Sequence, residues 1–265
     1  LKDIMMPLRL ATWNVNSILA RLPTALQVLK AINADIVCLQ ELKCEDTRFP
    51  RMEIEDLGYH VETFGQKTYN GVAILSRLRL EDVSRGLPGF EDVQSRYIEA
   101  VVAYETGVVR VASIYAPNGN PVDSEKFPYK LAFMEHLTAH LDALRALEEP
   151  VAILGDYNII PNPEDCHNPQ AWADDALYQP ASRAAWRRLL NLGYVDAFAD
   201  RDGRAHQYTF WDYQGGAWQK DHGIRIDHAL LSPQAADLAV GVEIYRQARA
   251  LEKPSDHVPL ICILK

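Results

Sequence analysis

The feature that most constrains the fold of this chain is a repeated pattern: a strand-like apolar run that ends or begins in a short polar tip. The tips are Thr12-Trp13-Asn14-Val15-Asn16, Leu39-Gln40-Glu41-Leu42-Lys43, Ile114-Tyr115-Ala116-Pro117-Asn118, Leu154-Gly155-Asp156-Tyr157-Asn158, Arg225-Ile226-Asp227-His228 and Ser255-Asp256-His257. One polar tip beside a strand is ordinary, but six that are rich in Asp, Glu, Asn and His imply strand ends converging on one site. Their oxygen donors suit a hard divalent cation such as Mg²⁺, Ca²⁺ or Mn²⁺, together with a phosphate ester.

Strand-like runs are expected at 8–15, 35–40, 71–76, 97–104, 108–115, 151–155, 226–232 and 258–264. Glu105-Thr106-Gly107 reads as a hairpin turn between two of them. Helical spacing links Leu22, Leu26, Leu29 and Ile32, with Pro23 at a tolerated early position. A longer helix carries Leu131, Met134, Leu137, Leu141, Leu144 and Leu147 and is expected to stop before Pro150. A third carries Trp186, Leu189 and Leu190, with Ser182 as candidate N-cap and Gly193 as candidate stop. Two packed sheets with helices outside would bury all of these elements. Segments 117–128 and 161–180 read as long loops, a length that often serves function.

With 265 residues, no linker and no strong repeat, the chain reads as one continuous domain over 1–265. Met5 and Met6 are both candidate starts, so residues 1–4 are expected to be non-native. The first ten residues are too short and too charged for a signal peptide. No apolar run nears the roughly 20 residues that span a bilayer. Cys38, Cys44, Cys166 and Cys262 form no CxxC pair, and the first and last sit in apolar runs, which fits a reducing cytoplasm. The net charge of −9 argues against a generally basic nucleic-acid binder but permits a local basic patch.

Each constellation has a plain alternative. Glu41 after its strand is a metal ligand or a solvated acid. Asp156 orients or deprotonates water, with Asn158 donating to phosphate, or the two shape an Asx-turn. Asp227 and His257 form a functional acid–imidazole pair or a structural one, and His228 packs locally. Tyr115 donates to phosphate, acts as a base, or is a buried phenol. Asn14 and Asn16 ligate metal or shape a turn.

The strings TWNVNS (12–17), LQELK (39–43), NGVAILS (70–76), YAPNG (115–119), KFPYK (126–130), GDYNI (155–159), TFWDY (209–213), RIDHALLS (225–232) and SDHVPL (255–260) run in one order over nearly the whole chain. On these the sequence resembles the exonuclease III-like AP endonucleases of the DNase I-like endonuclease/exonuclease/phosphatase superfamily. The resemblance implies an α/β fold, a four-layered αββα sandwich with the site at one edge. It implies Glu41 as principal metal ligand with Asn14 beside it, Tyr115 and Asn158 on the scissile phosphate, and Asp156 on the attacking water. Asp227 and His257 correspond to the acid–imidazole pair, Asp256 to the acid next to that histidine and, with Glu41 and Asn14, to the metal site, and Lys43 and Asn118 to polar residues of the cleft. It leaves open whether Asp156 or Tyr115 is the base and whether one metal or two take part.

The implied reaction is Mg²⁺-dependent hydrolysis 5′ to an abasic sugar in duplex DNA, with Mn²⁺ as a substitute cation and with 3′→5′ exonuclease or 3′-end-cleaning activity. The implied partners are duplex DNA with abasic sites or 3′ ends, the implied state is a monomer in the cytoplasm, and no membrane is involved. Phe210, Trp211 and Ile226 match the lining of a baseless-sugar pocket, where a small apolar space must be filled. Arg96, Lys126, Lys130, Lys220 and Arg225 are candidates to reach phosphates. The rivals are a 3′ exonuclease lacking abasic-site incision, a phosphodiesterase for non-DNA esters, and a DNA-binding module with a dead site.

Overall fold

The computed structural model describes residues 7–265. The expectation for residues 1–4 lies outside the described residues. Twelve strands form two six-stranded sheets. One sheet holds β1 (Leu8–Asn14), β2 (Ile36–Gln40), β3 (His60–Phe64), β4 (Val72–Ser76), β11 (Ala239–Ile244) and β12 (Leu260–Leu264), in the order β11-β12-β1-β2-β4-β3. The other holds β5 (Leu80–Arg85), β6 (Tyr97–Tyr104), β7 (Gly107–Tyr115), β8 (Val151–Asp156), β9 (Val195–Asp196) and β10 (Asp227–Leu231), in the order β5-β6-β7-β8-β10-β9. Each sheet is built around one parallel pair, β1 with β2 and β7 with β8, flanked by antiparallel strands.

A parallel pair needs a crossover, and a helix supplies it each time. α1 (Leu22–Ile32) joins β1 to β2, and α3 (Lys126–Arg145) joins β7 to β8. Val28, Leu29 and Ile32 of α1 pack with Ala11, Trp13, Val37 and Leu39 on the outer face of the first sheet. Phe133, Leu137 and Leu141 of α3, with Trp186 and Leu189 of α4 (Pro180–Asn191), cover Ala112, Ile114 and Ile153 on the outer face of the second. Between the sheets lie Leu10, Ile36, Cys38, Val111, Leu154, Ala229 and Cys262. The result is the expected αββα sandwich. The short helices α2 (Arg51–Glu55), α5 (Ala197–Arg201) and α6 (Pro233–Leu238) sit in the connections.

The strand period of two explains where the polar tips go. Along the inter-sheet face the central strands read Leu8-Leu10-Thr12-Asn14, Ile36-Cys38-Gln40, Val109-Val111-Ser113-Tyr115 and Ala152-Leu154-Asp156, each apolar at one end and polar at the other. Parallel registers Asn14↔Gln40 and Tyr115↔Asp156 set these ends level, and Asp227 pairs with Asp156 from the neighbouring strand. Just beneath, Gln40 spans the gap: its amide donates to Ser113 Oγ at 3.0 Å, its carbonyl accepts from Thr12 Oγ1 at 3.2 Å, and Ser113 Oγ donates to Leu39 O at 2.9 Å. This network satisfies buried polar groups as the gap passes from dry core to site.

Gly155 makes the close approach of β7 and β8 possible, because a Cβ there would lie 2.0 Å from Ile114 O. We expect Gly155→Ala to destabilise the fold by about 1–3 kcal/mol through overpacking, read as a lower urea midpoint. An unchanged midpoint would show that the parallel pair can separate at no cost.

Several expectations need correction. The hairpin turn is the two residues Glu105-Thr106, since Gly107 already pairs with Tyr104. The long helix ends at Arg145, before the Glu148 turn of positive φ, so Leu147 lies outside it. Ser182 is not the N-cap of α4: the helix begins at Pro180, whose fixed φ suits its first turn, and Ser182 Oγ donates to Ala176 O at 2.6 Å. Segment 161–180 is not featureless, since Pro163–Asp165 and Pro169–Trp172 form 3₁₀ turns. Strands β3, β5, β9 and β11 were absent from the sequence reading, and they are the four sheet edges.

Candidate active site

The level polar ends meet at one end of the sandwich, around a cavity of about 260 Å³. Glu41, Tyr115, Asn118, Asp156, Asn158, Asp256 and His257 line it, with Phe210, Ile224 and Ile226 as an apolar wall. Asn14 sits at its floor, where Nδ2 donates to Glu41 Oε1 at 2.8 Å and to Asp156 Oδ2 at 3.0 Å. Asn14 Oδ1 in turn accepts from the Asn16 amide at 3.0 Å. With its amide nitrogen turned to both carboxylates, Asn14 orients acids rather than offering them a competing ligand.

Glu41 and Lys43 both hold positive φ, 52° and 54°, a conformation rare for residues other than Gly and Asn. The loop is held there from both sides. Leu42 N and Lys43 N donate to Gly71 O and Asn70 O, and Ser17 N donates to Glu41 O at 2.8 Å. Lys43 Nζ lies 2.8 Å from Glu41 Oε2 and donates to Asn16 Oδ1 at 2.6 Å. Burial would raise the Glu41 carboxyl, but Lys43 and the Asn14 amide outweigh it and hold it below its usual value.

His257 is buried, and its Nδ1 lies 2.8 Å from Asp227 Oδ2. Burial opposes the charged ring, but the Asp227 carboxylate prevails and raises His257 to about 10. An Nδ1–H held by Asp227 leaves Nε2–H as the donor facing the cavity, 3.8 Å from Asp156 Oδ2. Asp156 is pushed up to about 7, first by burial and further by Asp227, against the pull of His257. Its Oδ1 accepts from the Asn158 amide at 2.9 Å. Asn158, at φ 50°, donates through Nδ2 to Ala116 O at 2.9 Å and accepts from Asn118 Nδ2 at 3.2 Å.

Glu41, Asp156 and His257 are the cluster of potential ligands among the described residues, their ligand atoms within 4.8 Å of one another. His257 is committed to Asp227 and protonated, so the carboxylates are the better cation ligands. Asp227 Oδ1 is buried without a hydrogen-bond partner, while Oδ2 holds the His257 ring. The residues present therefore fit a hard divalent cation held by Glu41, with Asp156 opposite. Asp256 also lines the cavity, but its Oδ1 accepts from Asn16 Nδ2 at 3.0 Å, which makes it a support of the β1 tip.

Tyr115 reaches the cavity beside Glu41 and Asp156. Burial and the two carboxylates raise its phenol well above the usual value, so it stays protonated and acts as a donor. Arg96 lies over its ring, guanidinium carbon 5.0 Å from the centroid, and donates to Tyr115 O at 3.1 Å. Arg96 and Lys126 open onto an adjoining groove of about 560 Å³ that shares Tyr115 and Asn118 with the site. Phe210 packs edge-on to His257, centroids 4.9 Å apart.

Four residues expected at the substrate, Arg225, Trp211, Lys130 and Lys220, are elsewhere. Arg225 is fully buried, with Nε 2.7 Å from Asp165 Oδ1 and Nη1 2.8 Å from Asp196 Oδ2, so it cannot reach a phosphate. Trp211 lies in the outer core and donates Nε1 to Asp221 Oδ1 at 3.0 Å. Its neighbour Phe210 lines the cavity instead. Lys130 is buried too, and Lys220 is an exposed residue bonded to Gly215 O. Tyr157 is core, its hydroxyl donating to Ile153 O, and His228 is buried against Arg225 and Ile159 O. The sequence reading missed Trp172, Asp175, Leu177 and Asp212, which also line the cavity. The only signal for the first three was the length of the 161–180 loop, whereas Asp212 lies within the TFWDY string.

Residues 11–257 match the endonuclease/exonuclease/phosphatase family. The chain is 34% identical to exodeoxyribonuclease III of Haemophilus influenzae over 262 residues, covering 96% of this chain and 98% of that protein. Among solved structures, a 3′ phosphatase from Neisseria bound to a product DNA hairpin superposes with TM-score 0.93 at 38% identity, covering 97% of this chain and 99% of the other. An AP endonuclease from Archaeoglobus fulgidus gives TM-score 0.92 at 37% identity, with the same coverage of each. The chain belongs to the endonuclease/exonuclease/phosphatase family and, within it, to the exodeoxyribonuclease III-like AP endonucleases.

Proposed function

We propose that this chain hydrolyses the phosphodiester 5′ to an abasic site in duplex DNA with Mg²⁺ as cation, and that it also acts on blocked or recessed 3′ ends. The observation that carries the reading is the cavity itself. A buried acid, an imidazolium held by a second acid, a phenol and two amides face one small space beside an apolar wall of Phe210, Ile224 and Ile226. Charged donors suit a phosphoryl group, and the wall suits a sugar without its base. The relatives named above act on DNA or carry names for that activity, which supports the same substrate here. Residues 7–265 act in this reading as one domain and as a monomer. No helix among the described residues is long and apolar enough to cross a membrane, and kinship with a bacterial exonuclease III supports a cytoplasmic site of action.

The geometry supports these roles in this reading. Asn158 Nδ2, Tyr115 Oη and His257 Nε2–H donate to non-bridging phosphoryl oxygens, where charge grows in the transition state. Asp156, near neutrality and fixed by Asn14 and Asn158, accepts a proton from water in line with the leaving 3′ oxygen. Tyr115 is held in its protonated form, so the base in this reading is Asp156. Glu41 would hold Mg²⁺, which would supply Lewis-acid stabilisation of the developing negative charge. Products are a 3′-hydroxyl and a 5′-deoxyribose phosphate.

The test is an end-labelled duplex with one internal abasic analogue, incubated with Mg²⁺ or EDTA. One Mg²⁺-dependent cut 5′ to the analogue is expected. A ladder from the 3′ end without that cut would replace the reading by a 3′ exonuclease, and no cleavage would move it to other phosphate esters. Glu41→Ala is expected to raise the Mg²⁺ needed for half-maximal rate by at least about tenfold, the least that disturbed metal sites show, with added Mg²⁺ partly restoring cleavage. An unchanged Mg²⁺ titration would remove Glu41 as ligand.

A further inference from the structure

Lys130 is a fully buried lysine in the first turns of α3. None of its hydrogen bonds goes to a carboxylate; its Nζ donates to Pro117 O at 3.0 Å and Asn158 O at 2.6 Å. Burial of an ammonium without a paired anion is costly, and an apolar side chain of the same length would fill the space. The two carbonyls explain what the lysine does. Pro117 immediately precedes Asn118 beyond β7, and Asn158 lies two residues past Asp156 beyond β8. The register of β7 with β8 ends at Tyr115↔Asp156, and beyond the Ala116 N–H bond to Asp156 O the two loops are joined by side chains alone: Asn158 Nδ2 donates to Ala116 O, Asn118 Nδ2 to Asn158 Oδ1, and Lys130 to the backbone of both.

We infer that Lys130 is a positioning residue that ties the β7 and β8 tips together and thereby sets Asn118, Asn158 and Asp156 relative to the scissile phosphate. The inference rests on the phosphodiesterase reading above. Lys130 touches no substrate; it acts through the Asn158 peptide, whose carbonyl it holds while the amide of the same residue donates to Asp156 Oδ1. Gly119 closes the pocket over the stem, since a Cβ there would meet Lys130 Cδ at 2.7 Å, so the side chain has one place to lie. Burial pulls the ammonium down to about 7, against Asp156 and Asp175. The tie survives loss of that proton, because a neutral amine still has two N–H donors for two carbonyls.

The experiment is a single-turnover cleavage of the abasic duplex by wild type and Lys130→Met, with enzyme in excess, so that inactive molecules do not enter the rate constant. Misplacing reacting groups by about 1 Å costs on the order of 100-fold. Lys130→Met is expected to lower the saturated rate constant by about 10- to 100-fold, with half-saturation in enzyme within about threefold of wild type. An unchanged rate constant overturns the inference, and so does weaker binding at unchanged rate, which would make Lys130 a contributor to DNA affinity only. If Lys130→Met does not fold, Lys130→Gln, whose two N–H donors stop one atom short of the Nζ position, decides by the same two readouts. A wild-type protein that does not cut the duplex would overturn the proposed function instead. The tie is then read without substrate, from the amide NMR signals of Asn118 and Asn158 in Lys130→Met. Movement of both relative to signals from β3 supports it, and unmoved signals overturn it.

Discussion

Asp156→Asn is expected to slow single-turnover incision by about 10²- to 10⁴-fold, the range of a lost general base, while the duplex still binds. Asn keeps the size of Asp and an oxygen for the Asn158 amide, so the β8 tip holds its shape. The exchange removes the group that takes the proton and turns an NH₂ toward Asn14 Nδ2, which now donates to a carboxylate oxygen at 3.0 Å. The pH profile separates this from a positional defect. Asp156 must be ionised to act, so the wild-type rate rises with pH and levels off as the carboxyl titrates. Burial places that point at about 7 in the protein alone, and a cation beside the carboxylates moves it lower. Asp156→Asn should lose this limb. A rate within tenfold of wild type, or an acid limb that persists, would transfer the proton to another group, with Tyr115 the nearest.

His257→Ala is expected to cost about 2.7–4 kcal/mol of transition-state stabilisation, or about 10²- to 10³-fold in rate, as for other lost oxyanion donors. The cost falls on the rate constant more than on binding, because charge on the phosphoryl oxygens is greatest in the transition state. The same change strands Asp227, whose Oδ2 loses its partner while Oδ1 already has none. Melting temperature must therefore be measured alongside. Asp227→Asn supplies the control: if Asp227 works by holding the imidazolium, it slows wild type but adds little in the His257→Ala background. Additive losses would give Asp227 a role of its own. Near-wild-type turnover by folded His257→Ala would remove the imidazolium from the mechanism.

How legible this was in the sequence depends on burial. The eight strands found by pattern are the interior ones, where both faces are covered and the run is apolar throughout, as in Ile36–Gln40 and Val72–Ser76. The four missed strands are the edges. β5, for example, is exposed or half-exposed along its whole length, so nothing in its pattern marks it as a strand. The site was legible for a related reason. A carboxylate or amide at the end of an apolar run is conspicuous in the sequence, and strand order then has little freedom in where to put it.

The residues that sequence misplaced share another cause. Arg225 and Trp211 sit next to site residues in the chain, but proximity along an extended segment says nothing about which way a side chain turns. Arg225 and Trp211 each adjoin a cavity-lining residue, Ile226 and Phe210, yet turn away from the cavity, Arg225 to Asp165 and Asp196, Trp211 to the outer core. The sequence by itself determined the two-sheet class, the interior strands and the chemical inventory at their tips, because local apolar runs and turn residues act over a few positions. Only the tertiary structure decided that the tips lie level, that His257 is claimed by Asp227, and that a buried lysine ties two loops. Those facts depend on strand register and on contacts such as Lys130 with Asn158, 28 residues apart, which no local pattern encodes.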